Sequence, residues 1–321
     1  MRHAARLLVI LALVQAGAAF AQAYPNRTIK LVVPWPPGQA TDVTARTVAD
    51  KMAPALGQQF VIDNRPGAGG TIGTDFAAKA PPDGYTILAG SSGPISISPN
   101  VQKVPYDPQR DFEPICLMAR SAYVLVTHPS LPANSVPELI SLLRASPGKY
   151  TFASSGAGAT SHLVGESFNA ATGIKATHIP YKGSAPAVTD IIAGHVTYTI
   201  ETSSAVLAHV KAGRLKALAV SSAKRASSLP ELPTIAEAAN LPGFDMSAWI
   251  GLLAPAGMPR ELRMRLTTEC QKALEAPEMK DRFLALGLEP GELAPDEFAD
   301  FLKKQNDRFS SIARQANIKL D

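Results

Sequence analysis

The sequence predicts an α/β fold built as two lobes, and three observations lead there. A strand, a small polar loop and a helix recur in that order along the chain. About 298 residues follow an N-terminal export segment, which is long for one core and comfortable for two. Apolar extended runs at 112–128 and at Trp249–Ala254 give the chain places to cross into a second lobe and to return.

The export segment comes first. Arg2 and Arg6 precede an apolar run from Leu7 to Val14, and small residues then end in Ala21-Gln22-Ala23. That order is a secretory signal peptide over 1–23, cleaved after Ala23, although Ala19-Phe20-Ala21 also fits. The run is too short to cross ~30 Å of hydrocarbon permanently. A periplasmic, Gram-negative type of location follows as the expectation.

Ile29 to Val33 reads as the first strand, cut off by Pro34-Trp35-Pro36-Pro37-Gly38. Thr41 or Asp42 is placed to cap a helix carrying Ala45, Val48, Ala49, Met52 and Leu56, with Gly57 as its stop and Pro54 disturbing the last turn. Phe60 to Asp63 and Tyr85 to Ala89 are further strands, separated by a glycine-rich loop and a helix over 71–80. The sheet they form should be largely parallel.

Beyond the crossing, Ser135 and Glu138 have capping-box spacing. Tyr150–Ala153, Thr177–Pro180, the alternating run from Val196 to Ile200, and Leu215–Val220 read as strands. Helices between them end near Gly173, Gly194 and Gly213. The last helix presents Phe298, Phe301, Leu302, Phe309 and Ile312 on one face. The expected division is 24–122 with 249–321 as the first lobe, and 123–248 as the second.

Several function classes are excluded. The formal charge of +4 falls to about +2 without Arg2 and Arg6, and the basic residues are scattered, so nucleic acid is not expected. His128, His162, His178, His195 and His209 show no ligand spacing, so no metal or cofactor is expected either. There is no H-E-x-x-H, Walker loop or G-x-S-x-G elbow. The enzymatic alternative is a secreted hydrolase using the neighbours Ser161 and His162. Cys116 and Cys270 read as free buried thiols, with one bridge left open because an exported chain meets oxidising conditions.

The chemistry is concentrated in the loops. Those after successive strands are rich in Gly, Ser and Thr, and each enters a helix N-terminus. Such an end offers free N–H groups and about half a positive charge, so it attracts carboxylate or phosphate without a cationic side chain. Loops of this kind in both lobes predict an anion-binding cleft. Glu201, closing an alternating strand, is either a solvated strand end or an acceptor in that cleft. Trp35 either packs on its prolines or forms a flat wall for the apolar part of a ligand.

These segments resemble one family, the Bug-type extracytoplasmic solute receptors, which are the binding components of tripartite tricarboxylate transporters. The similarity covers the mature chain and rests on motifs in order. They are Val33 to Gly38 with Asp42 and Arg46, Asn64 to Gly70, Pro82 to Thr86, Ser154 to His162, Pro180 to Gly183, Leu232 to Thr234 and Trp249 to Leu252. The resemblance implies a type II periplasmic-binding-protein fold that closes on a small organic carboxylate and hands it, as a monomer, to membrane transporter subunits. Feeding a membrane sensor kinase is the other outlet.

By position, the resemblance assigns Trp35, Gly38, Thr41, Asp42, Ala68, Gly69, Ser91 and Ser92 to the ligand from the first lobe. The second lobe adds Ser154, Ser155, Gly158, Thr160, Ser161, His162, Tyr181 and Gly183, with Glu201 and Thr202 at the far wall. Two departures bear on the ligand. Gly38-Gln39 stands where a Gly pair is usual, and Glu201-Thr202 where Asp and Asn are common.

Overall fold

The computed structural model describes residues 24–291, 293–315 and 319. The signal-peptide expectation for 1–23 lies outside them. Strands β1 (Ile29–Val33), β2 (Phe60–Asn64) and β3 (Thr86–Ser91) pair in parallel, with β1 between its two neighbours. Helices α1 (Ala40–Leu56) and α2 (Thr71–Ala78) make the crossovers. Gly57 ends α1 in the left-handed region at φ 68°, which a side chain would resist. Pro54 is accommodated inside the last turn. After β3 the chain turns through 93–97 into the short helix α3 (Ser98–Val101), a segment the sequence pattern did not reveal.

The crossing lies where two strands meet. β4 (Phe112–Ser121) belongs to the first sheet and β5 (Tyr123–Thr127) to the second, with only Ala122 between them. The second sheet has the order β7-β6-β8-β5-β9, built from β6 (Thr151–Ser154), β7 (Thr177–Pro180), β8 (Tyr198–Thr202) and β9 (Lys216–Val220). Its helices are α4 (Val136–Ala145), α5 (Thr160–Thr172), α6 (Ser184–Ile192), α7 (Ser203–Lys211) and α8 (Ile235–Ala238). Ser135 caps α4 as expected, its Oγ accepting the Glu138 N–H, while the Glu138 carboxylate reaches back to the Asn134 N–H.

β10 (Ala248–Pro255) returns the chain to the first sheet, between β3 and β4. Helices α9 (Arg260–Glu275) and α10 (Pro277–Ala285), the short strand β11 (Glu289–Pro290) and α11 (Pro295–Gln315) finish it. The first sheet therefore reads β11-β4-β10-β3-β1-β2. Both sheets are mixed rather than largely parallel. β5 and β10 are the strands that arrive from the opposite lobe, and each runs antiparallel to the strands on both sides of it.

Each sheet is covered on both faces. α1, α9 and α10 bury Val48, Met52, Leu266 and Phe283 on one face of the first sheet, and Ile95 and Phe298 fill the other. In the second, α4 and α5 bury Leu139, Leu143 and Phe168, and α6 and α7 bury Ile191 and Val206. α11 spans the division: Phe298 sits in a first-sheet core, while Phe309 and Ala313 sit in a second-sheet core. Cys116 on β4 and Cys270 on α9 are joined in a disulfide, which corrects the expectation of free thiols. Sequence alone carried no distance between them. Among the described residues, no helix is long and apolar enough to cross a membrane.

Candidate functional site

The site begins where β1 runs into prolines. Trp35 is 92 % buried, and its indole N–H donates to Ser91 Oγ at 2.9 Å, tying this loop to the end of β3. Asp42 does not cap α1. Its carboxylate accepts the Gly38 N–H at 2.9 Å, Asn64 Nδ2 at 2.9 Å and Arg46 Nε at 3.1 Å. Burial alone would raise the Asp42 pKa, but these donors and the Arg46 charge outweigh it and hold the carboxylate below its usual range. Asp42 and Gly38 thus brace the loop from behind. The true N-cap is Gln39, which makes no side-chain capping bond.

That arrangement recurs. α5 starts after Ala159, α6 after Gly183 and α7 after Thr202, each without a side-chain cap. The first residues of these four helices meet around one small cavity, lined by Thr41, Thr160, Ser184, Thr202, Ser91, Ser92, Ser155 and Glu201. Trp35, Gln39, Tyr123, Trp249 and Ile250 complete much of its wall. Among the described residues, no lysine or arginine lines it. The room for water centres is about 40 Å3. Roughly 10–15 Å3 on this measure holds one water, so a few waters or one carboxylate group would fit.

The remaining assigned residues fall into two groups. Ala68, Gly69, Tyr181 and Gly183 line a wider space of about 510 Å3, which shares Trp35 and Ser155 with the inner cavity and forms its mouth. Ser154, Gly158, Ser161 and His162 lie behind the second-lobe loop. Ser161 Oγ accepts the Ser155 N–H at 3.0 Å, and Ser154 Oγ pairs with His178 Nε2 at 2.6 Å. His162 Nδ1 accepts the Gly158 N–H, and its ring stacks on His178 at 3.8 Å. Ser161 and His162 therefore serve different partners and form no nucleophile–base pair. Burial, and then the neighbouring His162, depress the His178 pKa to about 3.

The two lobes touch across this space. Gln39 Nε2 donates to Ser184 Oγ at 2.8 Å, and Ser92 Oγ meets Thr160 Oγ1 at 3.2 Å. A Cβ on Gly69 would lie 2.8 Å from Ala157 O, and one on Gly183 3.2 Å from Pro36 Cγ. Gln39 and Ser184 were not assigned to the ligand from sequence, although Gln39 was noted as standing where a Gly pair is usual. Both sit at a helix start, Gln39 as the N-cap of α1 and Ser184 as the first residue of α6. Tyr123, whose phenol bonds to Thr160, carries no local signal.

Glu201 is the unusual member. It is 1 % exposed, Oε1 accepts the Thr202 N–H at 2.8 Å, and Oε2 has no hydrogen-bond partner. Burial raises its pKa to about 7, while the Thr202 N–H and the nearby Ser184, Ser161 and Thr202 hydroxyls pull the other way. A carboxyl whose folded pKa exceeds its unfolded value stabilises fully below the unfolded value of 4.5 and loses that contribution as pH rises through about 7. The cost at pH 8 is on the order of 3 kcal/mol. His178 acts oppositely, because its depressed pKa makes stability rise with pH towards 6.5. The difference between wild type and Glu201→Gln isolates the carboxyl. Urea unfolding without ligand should show the variant gaining on wild type between pH 5 and pH 8; parallel pH profiles would refute this.

Residues 44–318 match the profile described as tripartite tricarboxylate transporter family receptor. The protein BugT of Bordetella pertussis is 38 % identical over 322 residues, covering 98 % of each chain. Among solved structures, R. palustris Rpa4515 with adipate superposes at a TM-score of 0.88 with 37 % identity, covering 92 % of this chain and 99 % of its own. MatC from Rhodopseudomonas palustris, with bound malate, superposes at 0.85 with 29 % identity, covering 90 % and 99 %.

Proposed function

We propose a ligand and a mode of action from one premise: this chain belongs to the tripartite tricarboxylate transporter receptor family, whose members are solute-binding receptors and not enzymes. It captures a small carboxylate-bearing molecule in the periplasm by closure of two lobes and delivers it, as a monomer, to membrane subunits of a tripartite transporter. The lobes are 24–122 with 249–321, and 123–248, hinged where the chain changes sheets. The carboxylate of adipate or malate, named with two relatives, stands for the chemistry expected here.

One observation carries the reading. Four helix N-termini, one from the first lobe and three from the second, open without side-chain caps onto a cavity that no lysine or arginine lines. Their N–H groups and dipoles favour an anion there. The serine and threonine hydroxyls adjust to its orientation. Closure around it excludes water and strengthens each polar contact. Ligand bound to one lobe gains its remaining hydrogen bonds as the other swings in.

Thermal-shift measurements with adipate, malate and a set of mono- and dicarboxylates test this. A true ligand at 100 times its dissociation constant stabilises by about 2.7 kcal/mol. It should also reduce the radius of gyration in solution scattering. A flat melting temperature across the set, from pH 5 to pH 9, would remove the carboxylate reading.

A further inference from the structure

The proposed function leaves a conflict at the inner end of the cleft. The cavity is small, so any anionic group in it lies against Glu201. The Glu201 side chain is a wall of that space, and its Oε2 lacks a hydrogen-bond partner. A buried acceptor left unpaired is costly, and two buried carboxylates side by side repel one another.

The groups that face Glu201 offer no cation to resolve this. From its own strand end come the Thr202 N–H and hydroxyl, from α5 the Ser161 hydroxyl, and from α6 the Ser184 hydroxyl. On β5, Val124 is its register partner and Tyr123 is the one titratable neighbour. The Tyr123 phenol is buried, with its pKa pushed up, so it stays neutral. Lys182 lines only the mouth. His162 is engaged with Gly158 and His178 behind the loop.

We propose that Glu201 is a specificity determinant of the inner cleft, sharing one proton with the buried carboxyl of the ligand. Glu201 carboxylate, ligand carboxylate and one proton from solvent combine into an acid–carboxylate hydrogen bond with a single net negative charge. That charge is what the helix N-termini then face. The receptor binds carboxylate and proton together. A ligand whose inner end is a sulfonate, which cannot hold the proton near neutral pH, is rejected. The proposal rests on the carboxylate reading above. It adds that Glu201 touches the ligand and titrates with it.

Isothermal titration calorimetry tests it with whichever of adipate and malate binds, in phosphate and in Tris at pH 8. The buffers differ in ionisation heat, so the difference in apparent enthalpy counts protons taken up. Uptake should approach about one proton per ligand, and affinity should fall about tenfold per pH unit above pH 8. Glu201→Gln supplies a permanent donor, so it should bind with no proton uptake and a flat profile from pH 7 to pH 9. Binding by wild type with zero protons exchanged overturns the proposal and leaves the carboxylate receptor standing. If neither acid nor any other carboxylate binds wild type at any pH, the functional reading itself has failed. The wild-type proton count needs no variant, so a folding defect in Glu201→Gln leaves the test intact.

Discussion

Replacing Cys116 and Cys270 together by alanine is expected to produce a large loss of stability. The disulfide joins β4 to α9 over a sequence separation of 154, and the loop it closes contains the whole second sheet. Both sulfurs belong to the first lobe, which is assembled from two distant stretches of chain. The bond therefore ties the ends of that lobe together around an inserted one. Chain entropy for a loop of this length gives about 5 kcal/mol, an upper figure because unfolded chains keep residual structure. The cysteines are 1 % and 0 % exposed, so the bond is also packed, and Thr267 beside it on α9 donates to the Ile115 carbonyl on β4 at 2.9 Å. Urea midpoints of wild type and the double variant, both under oxidising conditions, provide the check. Adding reductant to unfolded wild type should reproduce the variant. Equal midpoints would mean that packing alone closes the first lobe.

The cysteine pair also marks where sequence reading stops. A residue on an apolar helical stripe and another in a strand are both plainly buried, but burial says nothing about which buried residues are neighbours. The periodic signals fared better because each is local. Val48 and Met52 follow the helical repeat as read. The strand read from Val196 to Ile200 as having one buried face instead starts at Tyr198 and is buried on both, because helices cover each side of its sheet. Mixed strand direction was illegible, since it depends on which lobe a strand arrives from. So was the helical stretch at 93–101, where Pro94 and Pro99 interrupt any pattern. At the site, composition pointed to the loops, and the loops lead into four uncapped helices. What composition could not give was depth. Asp42 looked like a cap facing the cleft, yet its carboxylate turns back to Gly38, Arg46 and Asn64. Thr202, Ser184 and Gln39 instead carry the inner wall.

Gly69→Ala should weaken ligand binding much more than it weakens the fold, and the reason lies in two separate penalties. Gly69 has φ 64°, a left-handed conformation that costs an alanine roughly 1 kcal/mol whether the lobes are apart or together. Under the proposed closure, the second penalty exists only when the lobes are together. The added Cβ would lie 2.8 Å from the Ala157 carbonyl oxygen and 3.2 Å from the Gly158 carbonyl carbon, both on the opposite lobe. These are backbone atoms on the turn that starts α5, and they cannot rotate out of the way. Relief requires the lobes to stop a few tenths of an ångström short. At that separation the Ser92–Thr160 and Gln39–Ser184 contacts, now 3.2 Å and 2.8 Å, lengthen as well. A closed-state penalty of 1.4 kcal/mol is tenfold in affinity, and loss of the cross-cleft hydrogen bonds adds to it, so a fall of about 10- to 100-fold is expected. Calorimetry with the carboxylate that most stabilises wild type would measure this, with the ligand-free melting temperature as the control for the first penalty. Unchanged affinity would show that the ligand is held with the two glycine turns further apart than they stand here. The four helix N-termini would then not act together on one anion, because the three from the second lobe reach the cavity only at this approach.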